Sequence, residues 1–386
     1  MRFPEFQGEW EWYSIEKIAN LSKGSGISKD QLSENGHPCI LYGELYTKYK
    51  SEIIQEILSK TDIASNSLVK SVANDVIIPS SGESAIDIAT ARCVPFSNIL
   101  LGGDLNIIRL KRDNGSFLSY QLNGVRKYDI AKVAQGVSVV HLYGESLKKI
   151  QVSICSEKEQ EKIANFLSLL DERIATQNKI IEKLESLIRG IYFAAKRDNW
   201  EMQFLKDILE ERDEQNSCNC PVYSVAVREG VINQIEHLGR SFAAKDTRNY
   251  NVVYYGDIVY TKSPTGSFPY GIVKQSFVNH PVAVSPLYGV YKPKNPHIAN
   301  ILHYYFLSPI NANNYLHSLI QKGAKNTINI TSQRFLDKTI LLPTNKMEIK
   351  NISLLLGIIS KKNQIEKDVQ KKLYTQKAFL LQQMFI

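Results

Sequence analysis

The sequence predicts a mixed α/β protein (α+β) in which two similar globular units alternate with two long helices. Two observations support this fold class: an apolar series with coiled-coil spacing in the middle of the chain, and a second copy of that series towards its end. A length of 386 residues permits two or three domains. A pseudo-twofold repeat is the simplest interpretation of this pattern.

The central stretch from residue 156 to about 197 has the pattern of one long helix. Its apolar residues recur in alternating steps of four and three, which is typical of a narrow coiled-coil seam rather than a broad core face. At about 1.5 Å per residue, a helix of about 40 residues is about 60 Å long. The seam consists of Ile163, Leu167, Leu170, Ile174, Ile181, Leu184, Ile188 and Ile191.

A cap signal precedes this helix, and one polar residue interrupts its seam. Ser156 followed by Glu159 has the form of a capping box, in which both side chains bind exposed main-chain N–H groups. Gln177 is the polar member of the series. It either sets the register of a helix pair or lies at a loosely packed point.

A second copy of the helix follows Pro343. Asn345 and Glu348 repeat the cap signal of the first helix. A shift of 189 residues places the two apolar series on each other. The matching positions of the second helix are Ile352, Leu356, Ile359, Val369 and Leu373.

The stretches before the two helices also resemble each other. The recurring pairs are Trp10-Glu11 and Trp200-Glu201, Asp75-Val76 and Asp257-Ile258, and Gln135-Gly136 and Lys322-Gly323. We therefore predict globular units at residues 1–155 and 199–343, with long helices at residues 156–198 and 344–386.

Short elements of both kinds are expected in the globular units. In the first, helices are predicted at residues 13–21 and 51–59, and strands at 75–79, 99–101, 105–110 and 150–154. In the second, a helix is predicted near residues 205–212, and strands near 222–227, 257–260, 271–273 and 339–342. Residues 80–83 are expected to form a polar loop.

The net charge of +8 and the pI near 9.0 point modestly to a polyanionic partner. The charge is unevenly distributed along the chain. Residues 157–198 carry eight basic and eight acidic side chains, whereas residues 344–386 carry eight lysines and three acidic side chains. The globular units are therefore not strongly basic, and any nucleic-acid contact there must come from local patches.

Neither a metal site nor a membrane segment is expected. The five cysteines include one close pair, Cys218 and Cys220, without a second pair or a histidine couple at zinc spacing. Reduced thiols in a cytoplasmic protein are the simpler interpretation. No apolar run is long enough to span a bilayer, and the N-terminus has no signal-peptide pattern.

The motifs of DNA-modifying enzymes are missing from the sequence. An amino-methyltransferase needs an Asn/Asp-Pro-Pro-aromatic loop and a glycine-rich cofactor turn, and a metal-dependent nuclease needs strand carboxylates followed by Glu-x-Lys. Gly102 and Gly103 lack the further glycine and the strand–helix context of such a turn. Glu159, Glu161 and Lys162 are explained by a solvated helix face. We expect no active site in this chain.

Polar and aromatic side chains near predicted strand ends are the candidates for nucleic-acid binding. Each tyrosine among them could equally be a half-buried sheet residue, and each glycine loop an ordinary turn rather than a phosphate site. The candidates in the first unit are Tyr42, Tyr46, Lys48, Ser80, Ser81, Gly136, Ser138 and His141. Those in the second unit are Lys262, Ser263, Thr265, Gly323, Lys325, Asn326 and Asn329.

The whole chain resembles the specificity subunit of type I restriction–modification enzymes. The resemblance is carried by the opening RFPEF and GEWE, by ILYGELYT at residues 40–47, by EQEKIA at residues 159–164, and by the closing helix end at residues 378–385. It implies two target recognition domains separated by two helices that form an antiparallel coiled coil. It also implies that the chain has no chemistry of its own.

The resemblance further implies double-stranded DNA and other protein subunits as partners. Two modification subunits would methylate adenine with S-adenosylmethionine, and restriction subunits would act as motor and nuclease with ATP and magnesium, so no cofactor is expected in this chain. The seam residues would serve both helix pairing and the partner interface. Because the second helix is rich in lysine, its partner contacts are expected to differ from those of the first.

A bipartite DNA target needs two readers at a fixed separation, which a stiff helix pair can impose and a flexible linker cannot.

Two other functions remain open from the residues alone. A stand-alone DNA-modifying enzyme would reveal itself in a methylation or cleavage assay on the isolated chain. A coiled-coil adaptor that does not bind DNA would show no salt-dependent DNA binding.

Overall fold

The computed structural model describes residues 1–63, 68–196, 199–240, 243–244, 246–322 and 328–385. The chain divides into two compact units, one formed by Met1–Asn178 with Asp368–Ile386 and the other by Lys179–Lys367. Each unit therefore includes part of both long helices. Among the described residues, no helix is long and apolar enough to cross a membrane.

The first unit combines short strands and short helices with the start of a long helix. The strands are β1 (Glu11–Ser14), β2 (Ala19–Lys23), β3 (Leu32–Ser33), β4 (His37–Ile40), β5 (Ser59–Thr61), β6 (Asp75–Pro79), β7 (Ser81–Gly82), β8 (Arg92–Val94), β9 (Leu100–Leu101), β10 (Leu105–Leu110), β11 (Val140–His141) and β12 (Gln151–Ile154). The helices are α1 (Ile15–Ile18), α2 (Glu44–Thr47), α3 (Ala85–Ile88), α4 (Gly115–Asn123), α5 (Lys127–Lys132), α6 (Gly144–Lys148) and the long α7 (Glu157–Ala195), with a 3-10 turn at Lys29–Gln31.

The second unit has the same mixture of elements. The strands are β13 (Glu201–Phe204), β14 (Leu209–Glu211), β15 (Tyr223–Ala226), β16 (Gly230–Asn233), β17 (Asn251–Val253), β18 (Ile258–Thr261), β19 (Ile272–Gln275), β20 (Val282–Val284), β21 (Gly289–Pro293), β22 (Gln321–Lys322), β23 (Ile328–Asn329) and β24 (Thr339–Leu342). The helices are α8 (Leu205–Ile208), α9 (Gln234–Leu238), α10 (Pro296–Phe306), α11 (Pro309–His317), α12 (Ser332–Leu336) and the long α13 (Lys346–Gln383).

A four-stranded antiparallel sheet lies at the centre of each unit. Its order is β2-β10-β6-β8 in the first unit and β14-β21-β18-β19 in the second. The inner strands β6 and β18 are buried along their whole length, as their apolar sequences predict. The strands that lead into the long helices pair with the opening strands of their units, β12 with β1 and β24 with β13.

Three predicted helices of the globular units are wrong in extent or in kind. Residues 13–21 and 205–212 each contain a four-residue helix, α1 or α8, that continues directly into a strand. Residues 51–59 are not helical: Ile53 forms an isolated bridge with Cys93, and β5 begins at Ser59. In each case, main-chain groups bind a distant strand, and this tertiary partner overrides the local pattern.

The hydrophobic core of the first unit encloses the start of α7 and the end of α13. Ile163 and Leu167 of α7 lie in one buried cluster with Leu381 and Phe385 of α13. The ring of Phe385 packs on that of Phe117, with 5.2 Å between their centroids. The long helices are therefore part of the core rather than an appendage to it.

The second core has the same construction. Ile188 of α7 and Ile352 and Leu356 of α13 belong to the buried cluster that covers the central sheet. In the middle of this cluster, the rings of Tyr291 and Phe335 stack with centroids 4.7 Å apart. Burial of such side chains stabilises a fold by about 1.5–3 kcal/mol each.

The first turn of α7 is held by the N-terminal segment of the chain. The Nε and Nη2 groups of Arg2 donate to the Glu159 carboxylate at 2.6 and 2.8 Å, and Trp10 Nε1 donates to it at 3.4 Å. The main-chain N–H groups of Glu159 and Gln160 bind the carbonyl of Ser156. The predicted capping box is therefore wrong: these N–H groups bind the main-chain carbonyl of Ser156 rather than its hydroxyl, and the Glu159 carboxylate binds Arg2 and Trp10 instead of the main chain.

The start of α13 follows the predicted cap more closely. Asn345 Oδ1 accepts hydrogen bonds from the main-chain N–H groups of Met347 and Glu348 at 2.9 and 3.2 Å. Trp200 Nε1 donates to the Glu348 carboxylate at 2.9 Å, just as Trp10 donates to the corresponding carboxylate in the first unit. The recurrence of tryptophan and glutamate in the sequence thus corresponds to one contact made in both units.

Within the first unit, α7 and α13 contact each other in opposite directions. Asn178 accepts a hydrogen bond from Gln370 at 2.6 Å, and Asp171 binds Lys377. A step of seven residues back along α7 matches a step of seven forward along α13. In the second unit, Glu185 of α7 pairs with Lys367 of α13 at 2.7 Å.

The predicted seam positions are buried or half-buried. The buried ones are Ile163, Leu167, Ile174, Ile181, Ile188, Ile191, Ile352, Leu356 and Leu373, and the half-buried ones are Leu170, Leu184, Ile359 and Val369.

The middle of α13 differs from the expected apolar series. The steps of four and three pass there through the polar residues Asn363, Glu366 and Gln370, so that Val369 lies beside the series rather than on it.

In the first unit, a buried charged cluster joins α7 and α13 to the segment that carries Glu52. Lys377 binds the carboxylates of Glu52 and Asp171, and all three side chains are less than a tenth exposed. Tyr120 Oη donates to the second oxygen of Asp171 at 2.8 Å. Attraction between Lys377 and the two carboxylates offsets part of the desolvation penalty of burying the cluster.

Burial, and secondly the neighbouring Glu52, raise the pKa of Asp171 from its ordinary value of 3.8 to about 6. Between these two values, the folded protein binds more protons at this carboxyl than the unfolded chain does. Its contribution to stability is therefore greatest below pH 3.8 and falls as the pH rises through about 6.

We predict that replacing Lys377 by alanine lowers the free energy of unfolding by about 3–5 kcal/mol at pH 7, because two buried carboxylates lose their counter-ion. The pKa of Asp171 should then rise further, because Lys377 lowers it in the unmodified chain. The loss of stability should consequently shrink when the pH is lowered from about 7 to about 5. Chemical denaturation of the full chain at both pH values measures the effect.

Lys372 is the matched control, because it is an exposed lysine on the same helix. Its replacement by alanine should change the stability by no more than about 0.5 kcal/mol at either pH. Equal losses in the two variants would contradict the structural role of the charged cluster.

Candidate nucleic-acid interface

The candidate Lys48 follows α2 and is paired with a buried acid. Its Nζ donates to Glu44 Oε1 at 2.6 Å and to Ser59 Oγ at 3.2 Å. The Glu44 side chain also accepts the main-chain N–H of Leu41 at 3.0 Å and is almost fully buried. Lys48 therefore neutralises Glu44 in this structure, and a phosphate contact of the same lysine stays a prediction.

Strands β7 and β11 bring together candidates that are distant in the sequence. Their antiparallel register pairs His141 with Ser81 and Val140 with Gly82. The hydroxyl of Tyr46 lies beside the same place, since it would be 3.6 Å from a β-carbon added to Gly82. Tyr46, Ser81 and His141 are thus neighbours at one end of the first unit's structure.

The protonation of Tyr46 is set by its surroundings. Partial burial, and secondly the neighbouring Tyr42, raise the pKa of the Tyr46 hydroxyl above its ordinary value. The hydroxyl is consequently protonated at neutral pH. It can donate one hydrogen bond to a nucleic acid and accept others.

Ser80 and Ser81 are less accessible than the sequence predicted. Both side chains are buried, and their hydroxyls donate to the carboxylate of Asp104 at 3.5 and 3.0 Å. The expected polar loop is also paired on its main chain, because Leu142 N–H donates to the carbonyl of Ser80 at 2.9 Å. The hydroxyls are thus engaged inside the protein, and a base contact by either serine stays a prediction.

Residues 135–141 form a tight exposed loop. Gln135 and His141 close it by exchanging main-chain hydrogen bonds of 2.9 and 2.7 Å. Gly136 has a φ of +122°, and a β-carbon there would lie 2.1 Å from the carbonyl oxygen of Val139. Only glycine fits this position without a change of backbone. The loop presents Ser138 and His141 to solvent, as predicted.

One exposed aromatic residue of this surface was not among the candidates. The ring of Tyr143 stacks on that of His141 with 6.2 Å between centroids and 25° between planes. Tyr143 is about half exposed and is available to a flat ligand. The signal that could have identified it is its spacing of two residues from His141, which places both side chains on one side of an extended segment.

In the second unit, three candidates lie on the loop between β18 and β19. Thr265 and Phe268 exchange main-chain hydrogen bonds of 3.1 and 2.9 Å, and the buried Phe268 ring anchors the loop in the core. Ser263 and Thr265 are exposed and Lys262 is half-buried. Within the described part of the chain, Lys262 forms no ion pair, in contrast to Lys48.

Among the remaining candidates, Asn329 lies on β23, which pairs with β22 ahead of α12. These two strands pair Gln321 with Asn329 and Lys322 with Ile328. The candidates Gly323, Lys325 and Asn326 lie outside the described residues. The structure therefore gives the main-chain register of Asn329 and says nothing about the other three.

One family model matches the first part of the chain. The family model described as the type I restriction modification DNA specificity domain matches residues 7–186. This segment contains the globular part of the first unit and most of α7. No curated protein matches the sequence of the chain.

Solved structures share the fold of the whole chain. The type I restriction-modification S subunit of M. genitalium is 14% identical, with a TM-score of 0.63, and the match covers 98% of this chain and 96% of that one. A chain from a structure concerned with complex assembly and conformational transition of a type I R-M system is 12% identical, with a TM-score of 0.52 and 96% coverage of both chains. The HsdS subunit of Thermoanaerobacter tengcongensis is 13% identical, with a TM-score of 0.41, and the match covers 98% and 97% of the two chains.

The predicted resemblance is confirmed by the family match over residues 7–186. The fold match extends over both units, and the family match covers most of the N-terminal segment of the first unit. Residues 7–186 are thus similar to the type I restriction modification DNA specificity domain.

Proposed function

We propose that this chain is the DNA-recognition subunit of a type I restriction–modification complex and carries out no catalysis itself. The observation that carries the proposal is the match of residues 7–186 to the DNA specificity domain of such systems. S-adenosylmethionine, ATP and magnesium then belong to partner subunits. A complex that acts on cellular DNA also places the chain in the cytoplasm.

The two units act as two target recognition domains, at residues 1–155 and 199–343. An internal repeat is supported by features that recur in both units. Each has the same central sheet, the same tryptophan–glutamate contact at a long helix, and a buried aspartate bound by an arginine at two atoms. These last pairs are Asp75 with Arg109 and Asp257 with Arg212, at 2.8–3.0 Å.

Each domain reads one half of a bipartite target through its loops. In the first, Tyr46 lies beside the paired strands that carry His141, and Ser138 is exposed on the loop that His141 closes, so that donors, acceptors and an aromatic face are available. In the second, Lys262 and Thr265 project from a loop whose base is anchored in the core. Rigid scaffolds with exposed polar loops suit recognition, because the loops are aimed without burying their polar groups.

The helices at residues 156–198 and 344–386 form an antiparallel coiled coil that sets the distance between the half-sites. The opposite-direction contacts of Asn178 with Gln370 and of Asp171 with Lys377 support this arrangement in the first unit. Gln177 is buried next to these contacts, so the register-setting role expected for it is the one we favour.

Modification subunits dock on the outer faces of the long helices. Each unit leaves large apolar side chains exposed there, and such patches mark interaction sites when they are contiguous. The exposed side chains in the first unit are Phe166, Leu169 and Phe379, and those in the second are Leu187, Leu354, Leu355, Ile358 and Ile365. Two modification subunits and the restriction subunits complete the proposed assembly.

Methylome sequencing tests the proposal directly. Cells that carry this chain with its modification subunits should methylate adenine in one bipartite sequence, and cells with a deletion of the chain should lose that methylation. Methylation that persists without the chain would contradict the proposal. Methyl transfer by the isolated chain would instead identify it as a stand-alone enzyme.

We predict that replacing Lys262 by alanine weakens binding to all duplex sequences and lowers the salt slope by about one unit, because one phosphate contact is lost. Titration of the assembled complex with random duplex DNA at several salt concentrations measures the slope. Lys292 is the control, since it is an exposed lysine of β21 in the same unit. A slope that is unchanged by the loss of Lys262 would remove this residue from the interface.

We predict that lengthening both helices by four residues, near Lys179 in α7 and near Asp368 in α13, changes the spacer of the target but neither half-site. Four helical residues add about 6 Å, which corresponds to about two base pairs. The methylome of cells with the lengthened chain reports spacer and half-sites together. An unchanged spacer in an active complex would refute the distance-setting role.

We predict opposite outcomes for aspartate at two neighbouring positions of α13. Leu356 is 1% exposed, so Leu356→Asp buries an unpaired charge and should cost several kcal/mol of stability. Ile358 is 66% exposed, so Ile358→Asp should leave stability nearly unchanged and weaken assembly with the modification subunits. Denaturation and size-exclusion chromatography separate the two effects.

The half-buried seam positions Leu170 and Ile359 should behave like Leu356 with smaller losses. A stable Leu356→Asp protein with full activity would show that the seam assignment is wrong. Normal assembly of the Ile358→Asp protein would move the partner interface away from this face.

A further inference from the structure

A cavity of about 660 Å³ lies within the second unit, and none of the described DNA-binding candidates lines it. Its walls come from the turn between β15 and β16, from β19, from α10 and from both long helices. This volume is in the range of small-molecule sites, which are mostly apolar with a few convergent polar groups. The apolar part here is supplied by Ile188, Phe277 and Leu307.

The polar part of the cavity is dominated by a buried lysine. Lys274 of β19 is 2% exposed and lines the cavity. Among the described residues, it forms neither an ion pair nor a hydrogen bond. A buried ammonium group without a partner is costly, and the exceptions in folded proteins call for a specific cause such as a bound ion or ligand.

The neighbours of Lys274 add positive charge and hydrogen-bond donors. Arg189 and Arg228 also line the cavity, whereas Glu185 is already paired with Lys367. Glu229 is the remaining carboxylate of the lining. Its attraction only partly offsets the effect of burial, which lowers the pKa of Lys274 to about 8, so the lysine is still mostly charged at pH 7.

His303 and Asn363 complete the set of polar groups. The Nδ1 atom of His303 accepts the main-chain N–H of Gln275 at 3.0 Å, which leaves the proton on Nε2. Burial, with repulsion from Lys274, lowers the pKa of His303 to about 3, so the ring is a neutral donor. The amide oxygen of Asn363 is buried and has no donor within the described part of the chain. Both side chains line the cavity.

The first unit shows how this chain accommodates a buried lysine. There, Lys377 is neutralised by the carboxylates of Glu52 and Asp171. The segment that carries Glu52 is bound to the edge strand β8, through the N–H of Cys93 and the carbonyl of Glu52 at 2.8 Å. In the second unit, the edge strand of the central sheet is β19. In the described part of the chain, this strand carries the buried Lys274 and borders the cavity, instead of binding a segment with a carboxylate such as Glu52.

We propose that this cavity binds a small molecule bearing a carboxylate or phosphate group, which pairs with Lys274 and receives hydrogen bonds from His303 and Arg228. The apolar wall receives the rest of the ligand, and the free amide of Asn363 binds a polar substituent on it. Oxyanions suit the site because charge-assisted hydrogen bonds to them are the strongest that a lysine or arginine makes.

Calorimetry on the full chain tests the proposal with three probes: inorganic phosphate, malonate and phenyl phosphate, each against sodium chloride at the same ionic strength. At least one oxyanion should bind with a saturable isotherm, and phenyl phosphate should bind more tightly than inorganic phosphate because it also covers the apolar wall. The phosphate and malonate arms distinguish the two oxyanion classes. Absence of saturable binding for all three probes at millimolar concentration would overturn the proposal.

Lys274→Met is the central variant. It should reduce probe affinity by at least tenfold, while its melting temperature without probe should equal or exceed that of the unmodified chain, because an unpaired buried charge is removed. Lys292→Met is the matched control and should leave probe affinity unchanged. Equal probe affinity of the Lys274→Met and unmodified chains would overturn the proposal.

A second variant and a competition experiment test the proposal without depending on the folding of the Lys274→Met chain. Arg228 is exposed, so Arg228→Gln should preserve the fold and lower probe affinity severalfold. Probe binding should be unaffected by saturating duplex DNA. Competition by DNA, together with weaker DNA binding of the Lys274→Met chain, would assign the cavity to a DNA phosphate and overturn the small-molecule proposal.

Discussion

The constraint on which the rest of this structure depends is the burial of the apolar seam of two long helices. A narrow seam of this kind is not stable in water by itself, and here it is covered by the cores of the globular units. Leu167 and Phe385 enter one core, and Ile188 and Leu356 enter the other. Each core is consequently completed by segments from widely separated parts of the chain, which ties the candidate loops of a unit to the helices that run through its core.

Several charged groups in the interiors of the two units are held by partners of opposite charge. Glu159 is held by Arg2, Asp257 by Arg212, and Lys377 by two carboxylates. These pairs contribute little net stability compared with apolar packing, but loss of one member is severe because the other remains buried. Lys274 differs from these groups, and in particular from Lys377, the other buried lysine among the described residues.

The presence or absence of an ion-pair partner also separates lysines that maintain the fold from lysines available for recognition. Lys48 and Lys262 both stand near strand ends in the sequence, yet the first is bound to the buried Glu44 whereas the second projects from an anchored loop. Phosphate contact requires a charge that is not already compensated. Lys262 is therefore the better candidate for general DNA affinity. In the first unit, the surface around His141 and Tyr143 is the better candidate for base contacts.

The sequence by itself determined the class of the fold, the two long helices and the buried strands at 75–79 and 105–110, because heptad spacing and apolar runs are local signals of burial. It also indicated the repeat, through Trp10 with Trp200 and Asp75 with Asp257. Only the tertiary structure decided where short segments bind distant strands, that Glu159 binds Arg2 rather than its own helix, and that Ser81 is buried beside Asp104. Such contacts join residues that are far apart in the chain, so no local pattern contains them. The partners of a polar side chain, and with them its availability to a ligand, are set when the chain folds.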